Sequence, residues 1–195
     1  MSHQVVAPNP GELNGISAKT NDIHHGKLYA GYVTKRNEIE EKIKEGDVSS
    51  ANQIYSAWRG LKEGETFAAN GMILHQVFFS ILGGDGNPEG TEIKTAIEAE
   101  WGSWERFAQE FSATGMAARG WAILAFDTFN QRLNIYAGDS QNQGGVWGSI
   151  PLLPMDVYEH AYFLDFGSDR KSYIEAFLKN VQWRVVEASY LIAKK

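Results

Sequence analysis

The stretch Asp156–Tyr162 reads DVYEHAY and places a carboxylate and an imidazole four residues apart. The apolar residues that lead into it predict a strand over Leu152–Tyr158, so Asp156 and His160 fall where that strand gives way to the next turn. An acid and a histidine at this spacing form a common pair. With further nitrogen ligands they would make a site for a metal ion.

Three further histidines, His24, His25 and His75, lie in predicted helices, and two of them could complete such a set. His24, Leu28 and Tyr32 follow one another at intervals of four, which puts them on one side of a helix. His75 sits in an otherwise apolar helix, where a buried imidazole needs a partner. A hydrogen-bonded core histidine satisfies that pattern too. With Asp156 and His160, the two would supply three imidazoles and one carboxylate, which suits manganese, iron or zinc.

Composition restricts the class of protein. The 195 residues, 43% hydrophobic and 22% charged, suit one compact chain, and the absence of cysteine excludes disulfides, zinc fingers, thiolate catalysis and iron–sulfur clusters. A net charge of −6 argues against general nucleic-acid binding. No apolar run approaches the ~20 residues of a membrane span. The first residues, 1–13, lack a basic start and an apolar core, so we expect no signal peptide and a cytoplasmic protein.

Hydrophobic periodicity predicts an α+β fold. Helices are expected in the first half, at 16–44 (one long helix or two stacked ones), 51–62 and 65–82. They form a helical hairpin over 16–82 after an irregular segment, 1–15. Four glycines and a proline in 83–90 mark a linker. The remainder, 91–195, predicts an α/β unit with a small three-stranded antiparallel sheet, having helices at 91–101, 103–114, 171–180 and 182–193 and strands at 121–126, 132–138 and 152–158.

Four blocks of sequence, in order, resemble the iron/manganese superoxide dismutase family. Residues 23–33, IHHGKLYAGYV, look like its first metal-binding helix, and 70–75, NGMILH, are similar to its second. Residues 120–122, GWA, resemble the start of its sheet, and 156–162 are very close to its best-known signature. The likeness runs from about residue 16 to 190. It implies a helical hairpin followed by an α/β unit, with the metal between them.

The resemblance also implies an activity and a ligand set. The expected reaction converts superoxide to dioxygen and hydrogen peroxide by redox cycling of one manganese or iron ion per subunit. The implied ligands are His24, His75, Asp156 and His160, with a solvent molecule as the fifth. His25 is then not a ligand.

Other matching positions carry implied roles around the metal. Tyr32 corresponds to the tyrosine that guards the substrate funnel, and Trp121 to an aromatic wall of the site. Glu159 corresponds to the glutamate that reaches across a homodimer interface to orient the ligand histidine of the other subunit. A plain exposed carboxylate is the competing interpretation of Glu159.

The metal preference depends on a glutamine that hydrogen-bonds the solvent at the metal. The iron-type family pattern has it four residues before the second histidine ligand, where this chain has Gly71. The manganese-type pattern has it after the second strand, and counting eight residues from Leu133 reaches Gln141. Gln143 is a near competitor. We therefore predict manganese, with iron or use of either metal as the alternative.

Several positions depart from the family pattern. The gateway histidine is replaced by Leu28, and the tyrosine that pairs with it across the dimer by Phe163. Pro154 and Tyr158 are also unusual near the aspartate. These changes bear on proton delivery, dimer geometry and metal choice. The competing hypothesis is a catalytically dead member kept as a structural or binding subunit, which would have no need of the four ligands.

Overall fold

The computed structural model describes residues 2–195, and its first half is a helical hairpin. The first arm runs from α1 through a π-helical turn into α2, and the second arm is the single long helix α3. Their bounds are α1 Ala18–Ile23, the π-helical turn His24–Tyr29, α2 Ala30–Lys44 and α3 Ala57–Ser80. Serines begin both arms: the hydroxyl of Ser17 accepts from the backbone of Thr20, and that of Ser56 from Arg59.

The π-helical turn shifts the buried face of the first arm by one residue. The strict spacing of four predicted a shared side for His24, Leu28 and Tyr32. In the structure His24, Tyr29 and Val33 are buried, whereas Leu28 and Tyr32 are half-buried. A π turn takes one more residue than an α turn, so the phase of the helix changes at the histidine.

The second arm differs from its prediction as well. Two helices, 51–62 and 65–82, were expected, and the chain instead forms one helix, α3. Residues 51–56 belong to the loop before it. The predicted break covered residues 63 and 64, and α3 accommodates Gly64 against the side chain of Ile39. Interior glycine lowers helix propensity, but packing on the facing arm outweighs that cost.

The second half is an α/β unit with a three-stranded antiparallel sheet, as the sequence predicts. Its elements are α4 Glu92–Trp101, α5 Trp104–Ala117, β1 Trp121–Asp127, β2 Arg132–Gly138, β3 Ser149–Asp156, a 3₁₀ turn Glu159–Ala161, α6 Phe163–Phe166, α7 Arg170–Lys179 and α8 Trp183–Ala193. The third strand begins and ends earlier than predicted. The sequence of β2 has apolar residues at alternate positions, 133, 135 and 137, but Ala137 is exposed and the neighbouring Gly138 is buried.

The strand order β2-β1-β3 gives the sheet two functionally different ends. At one end Trp121 lies opposite both Gly138 and Asp156. At the other end Asp127 lies opposite Arg132 and Ser149. Because β3 is an edge strand, it tolerates prolines at 151 and 154, which cannot donate to a further strand.

Contacts between the halves hold the sheet end with Trp121 against the hairpin. The carboxylate of Asp165 accepts hydrogen bonds from the backbone of Ser17 at 3.0 Å and the hydroxyl of Thr20 at 2.7 Å. Behind the hairpin, Leu82 forms a β-bridge with Val181. The apolar core is continuous across both halves. Among residues 2–195, no helix combines the length and apolarity that crossing a bilayer requires.

Candidate metal centre

The four predicted ligands converge on one carboxylate oxygen. Oδ2 of Asp156 lies 3.1 Å from Nε2 of His160, 3.2 Å from Nε2 of His24 and 3.4 Å from Nε2 of His75. One ligand atom from each residue can be chosen so that all four lie within 4.8 Å of one another. The structure therefore brings together three nitrogens and one oxygen, and His24 and Asp156 alone are 132 residues apart in the sequence.

Each ligand is held by a different local element. The π-helical turn supplies His24 and α3 supplies His75, while Asp156 ends β3 and His160 lies in the 3₁₀ turn that follows. The second carboxylate oxygen of Asp156 accepts from the backbone of Tyr158 at 2.9 Å. The backbone carbonyl of Asp156 accepts from the hydroxyl of Tyr173 at 2.6 Å. The first contact orients the carboxylate, and the second holds the backbone that carries it.

The hydrogen bonding of the His75 ring shows that these residues fit a cation. Its ring is fully buried, and Nδ1 donates to the carbonyl of Gly71 at 2.6 Å, so Nε2 carries a lone pair. That Nε2 has no hydrogen-bond partner among residues 2–195 and faces the carboxylate of Asp156. Two lone pairs facing each other in a dry interior are unfavourable, and a metal cation between them removes the conflict. The donor set therefore fits manganese or iron.

The protonation states of the cluster also suit a metal. Burial lowers the pKa of His75 to about 3 and lowers that of His24 as well. Burial would raise the pKa of Asp156, but the neighbouring His160 and His24 hold it well below its usual range. Burial would likewise lower the pKa of His160, and the carboxylate of Asp156 raises it. At neutral pH the carboxylate is ionised and the two buried imidazoles are neutral, as metal ligation requires.

Aromatic rings pack around the imidazoles of His24 and His75 and exclude water from that side of the cluster. Phe79 and Phe78 lie 5.0 and 5.1 Å from the ring of His24. Trp121 meets His75 edge to face at 5.1 Å, and Tyr32 lies 5.1 Å from the same imidazole. A low-dielectric surround strengthens every electrostatic interaction inside it.

A hydrogen-bonded chain links Trp121, Gln141 and Tyr32. The indole of Trp121 donates to Oε1 of Gln141 at 3.0 Å, and Nε2 of Gln141 donates to the hydroxyl oxygen of Tyr32 at 3.1 Å. An indole can only donate, so this contact fixes which way the amide points. Gln141 is buried whereas Gln143 is exposed, which places Gln141 beside the cluster and its competitor outside it.

Gly71 permits the close approach of Tyr32 to the cluster. A Cβ at this position would lie 2.4 Å from Cδ1 of Tyr32. Any side chain at position 71 therefore displaces the tyrosine ring, and the iron-type glutamine would clash with Tyr32.

The side of the cluster around His160 is the open one. The side chain of His160 is 30% exposed, and its ring stacks on Tyr158 with centroids 5.4 Å apart. Tyr158 in turn fills the space above Gly120, where a Cβ would lie 2.9 Å from its ring. Glu159 and Phe163 are exposed beside the histidine.

Two family models match the chain in succession. One, described as iron/manganese superoxide dismutases, alpha-hairpin domain, matches residues 12–83. The other, described as iron/manganese superoxide dismutases, C-terminal domain, matches residues 88–189 and so covers more than half of the chain. The chain belongs to the iron/manganese superoxide dismutase family.

Curated relatives of this family span nearly the whole chain. A protein of Aquifex pyrophilus named as an Fe superoxide dismutase is 42% identical over 95% of this chain and 89% of its own length. One of Cupriavidus metallidurans, also named as the Fe form, is 37% identical over 90% of this chain and 88% of its own length. One of Halobacterium salinarum, named as an Mn superoxide dismutase, is 34% identical over 94% of this chain and 92% of its own length.

Some residues of the superoxide dismutase site have no signal in the sequence. Tyr173 reaches the backbone of Asp156 from α7, and no spacing rule connects them. Tyr29 stacks nearly parallel to His75 because the π-helical turn brings it inward. His25 lies outside the ligand set, where its Nε2 is 2.8 Å from the carbonyl of Ala7 and its ring packs on Phe79.

Proposed function

We propose that this protein is a superoxide dismutase that holds one manganese or iron ion with His24, His75, Asp156 and His160. The observation that carries the proposal is the buried Nε2 of His75, which faces the carboxylate of Asp156 with no hydrogen-bond partner among the described residues. Membership of the family and relatives named as superoxide dismutases support the same activity. A catalytically dead member would have no use for a complete ligand set, and nothing found supports that alternative.

When bound, such an ion would supply one-electron redox chemistry, by which one superoxide is oxidised to dioxygen and a second, together with two protons, is reduced to hydrogen peroxide. The chain supplies the environment for this exchange. Asp156 offsets part of the positive charge, and the imidazoles of His24 and His75 stay neutral because burial lowers their pKa values. The aromatic rings around them exclude water.

Proton handling falls to Tyr32 and Gln141. The oxygen of Tyr32 accepts from Gln141, so its own hydroxyl proton remains available to an acceptor in the funnel. Burial raises the pKa of Tyr32, which keeps the phenol protonated at neutral pH. Gln141 has one amide hydrogen left after it donates to Tyr32. Held by Trp121, it is placed to set how readily the solvent at the ion gains a proton, and thereby the reduction potential.

We favour manganese over iron as the physiological metal. The support is the position of the amide: Gln141 reaches the site from the C-terminal unit, and Gly71 leaves no room for the iron-type alternative. The relatives at 42% identity carry the Fe name and one at 34% carries the Mn name, so overall similarity alone points the other way. Activity with both metals is the second candidate.

We also propose a homodimer through Glu159 and His160. The Nδ1 of His75 has an acceptor in its own chain, the carbonyl of Gly71, whereas no described residue of the same chain accepts from Nδ1 of His160. Glu159 is exposed and makes no ion pair within residues 2–195. A glutamate from a second subunit would accept a hydrogen bond from Nδ1 of His160, as carboxylates do for metal-bound imidazoles.

The test is superoxide consumption by manganese-loaded, iron-loaded and metal-free protein at measured occupancy. We expect rapid turnover by at least one loaded form, a higher rate with manganese, and none without metal. A higher rate with iron would overturn the metal preference alone. Absence of turnover in both fully loaded forms would overturn the enzymatic function.

A further inference from the structure

The dipeptide Asn-Gly occurs twice in this chain, and its two copies lie in opposite environments. Asn14 and Gly15 belong to the irregular segment before α1, and both are exposed. Asn70 and Gly71 lie inside α3, where the asparagine is half-buried and the glycine is buried. Asparagine is a chemically labile residue, and a following glycine leaves the next backbone nitrogen unhindered. The local structure therefore decides which copy can react.

The two groups that would react at the first copy are unbonded. The reaction joins Cγ of Asn14 to the backbone nitrogen of Gly15. That nitrogen donates to no acceptor within residues 2–195, and the carboxamide of Asn14 makes no hydrogen bond there. The exposed side chain can therefore rotate until Cγ reaches the nitrogen, and an attack within one chain needs no encounter. Gly15 has a φ of +88°, which glycine adopts without strain.

The helix protects the second copy. Gly71 lies in the interior of α3, where its N–H belongs to the helical hydrogen bonds. Its carbonyl accepts from Nδ1 of His75, and the ring of Tyr32 packs against its Cα. The nitrogen of Gly71 must leave its hydrogen bond before it can attack Asn70. A local opening that costs about 1.4 kcal/mol already slows such a reaction tenfold.

We propose that Asn14 is a site of spontaneous deamidation, which converts it to a mixture of aspartate and isoaspartate while Asn70 is preserved. The nitrogen of Gly15 loses its proton and bonds to Cγ of Asn14, and the side-chain nitrogen leaves as ammonia. Water then opens the cyclic imide. Attack at Cγ gives aspartate, and attack at the former backbone carbonyl gives isoaspartate, in which the main chain runs through the side chain. Water is the only co-reactant, and no electron is transferred.

The backbone of Asn14 ties the N-terminal segment to the C-terminal unit. Its N–H donates to Oδ1 of Asn180 at 2.9 Å, and its carbonyl accepts from Nδ2 of Asn180 at 2.9 Å. Asn180 is buried at the end of α7. These two bonds occupy the N–H and carbonyl of Asn14 and leave the reacting groups unbonded. Modification at this position therefore alters a junction between the two halves.

Isoaspartate lengthens the chain at that junction. The carbonyl that Asn180 bonds becomes part of a carboxylate outside the main chain, and the path to Gly15 gains a methylene. Gly15 packs closely on α7, because a Cβ added to it would lie 3.2 Å from Cβ of Ala176. The extra length must displace residues 15–17, and Ser17 is the residue that caps α1. Aspartate adds the same charge without this displacement.

The experiment incubates the metal-loaded protein at neutral pH and follows both asparagines by peptide mapping with mass spectrometry. Chromatography separates the aspartyl and isoaspartyl peptides. We expect Asn14 to convert at least about tenfold faster than Asn70 in the folded protein, and both to convert in the chain unfolded by urea. Asn14→Gln is the matched control, because it keeps an amide that would have to close a larger ring. It should lower the release of ammonia to the background of the other residues.

Two results of the peptide map would overturn the proposal. One is equal conversion of the two asparagines in the folded protein. The other is an intact Asn14 in the folded protein after the time in which the unfolded chain converts. Neither result bears on the metal or on superoxide, so both leave the proposed function untouched.

A second measurement tests the structural consequence. The isoaspartyl form, separated from the incubated protein, is compared with Asn14→Asp, which adds the same charge on an unchanged main chain. We expect the isoaspartyl form to melt roughly 2–4 °C lower, with faster hydrogen exchange at residues 15–17. Equal melting temperatures and equal exchange would overturn the loosening of the junction.

Discussion

The two halves of the metal centre are completed in different ways. On the hairpin side, His24 and His75 are buried, and Nδ1 of His75 donates to Gly71. On the C-terminal side, Asp156 is fully buried and bonded through both oxygens, but His160 is 30% exposed and its Nδ1 has no acceptor among the described residues. In the proposed homodimer, Glu159 of a second subunit would supply an acceptor for Nδ1 of His160. Metal retention would then be coupled to subunit assembly.

The largest effect is expected from the shared carboxylate. Asp156→Ala removes the single group that all three imidazoles approach, so three neutral ligands remain around a buried cation. We expect loss of metal retention and a fall in activity of more than about 100-fold, since even groups outside the ligand set cost 10–100-fold. The control is His25→Ala, which removes a neighbouring histidine outside the cluster. An Asp156→Ala protein with full metal content and rate would remove this residue from the ligand set.

The glutamine tests how far the C-terminal side tunes the metal. Gln141→Ala breaks the link between Trp121 and Tyr32, and we expect activity to fall about 10–100-fold with a shifted reduction potential and retained metal. The exposed neighbour provides the control: Gln143→Ala should leave both quantities unchanged. The reverse pattern would show that the amide beside the solvent belongs to Gln143.

Gly71 tests the packing on the hairpin side. Gly71→Ala places a Cβ 2.4 Å from the present position of the Tyr32 ring, so the ring must move. Overpacking of this kind costs about 2 kcal/mol, which lowers the melting temperature of a chain this size by roughly 4–8 °C. Gly31→Ala is the matched control, because a Cβ there meets nothing within 4 Å. Equal melting temperatures for the two variants would contradict the close approach of Tyr32.

Glu159 tests whether the C-terminal side is completed by a second subunit. We expect Glu159→Ala to weaken the homodimer and to speed metal loss by about tenfold, because His160 loses an acceptor for Nδ1. Glu45→Ala, another exposed glutamate with no ion pair among the described residues, should change neither. Unchanged metal retention together with unchanged dimerisation in Glu159→Ala would mean that His160 is complete within one chain.

The smallest effect concerns the contact that holds the two halves together. Burial would raise the pKa of Asp165, but its hydrogen bonds from Thr20 and Ser17 lower it. A carboxyl with a lowered folded-state pKa stabilises above its unfolded pKa of about 3.9 and loses that contribution as the pH falls below it. We therefore expect Asp165→Asn to lower the free energy of unfolding by about 1 kcal/mol at pH 7, and by less at pH 3. Urea unfolding at both pH values, with Glu105→Gln as control, measures this; a difference that grows at low pH would contradict it.

Sequence patterns were sufficient for the parts of this protein that depend on local chemistry. The fold class and the three strands follow from periodicity. Residue type supplies a pool of candidate ligands, and the family resemblance selects His24, His75, Asp156 and His160 from it. The spacing of apolar residues did not reveal the π-helical turn, because no residue type in the sequence marks the one extra residue that such a turn contains. That turn is why Tyr29, and not Leu28, is buried.

Long-range contacts were beyond sequence reasoning for a different reason. The hydroxyl of Tyr173 meets Asp156 only because α7 packs behind the sheet, and Gln141 is separated from Gln143 only by the path of one loop. Nothing local distinguishes those two glutamines. The hydrogen bond from Trp121 distinguishes them. The indole can only donate, and the amide oxygen that accepts from it belongs to Gln141.

The most direct measurement is an anomalous-scattering map of the manganese-loaded protein, recorded on both sides of the manganese absorption edge. We predict a single strong peak per chain, bounded by Nε2 of His24, His75 and His160 and by the carboxylate of Asp156. A fully loaded, active protein whose manganese peak lies elsewhere, or is bound by fewer than these four residues, would contradict the metal centre described above.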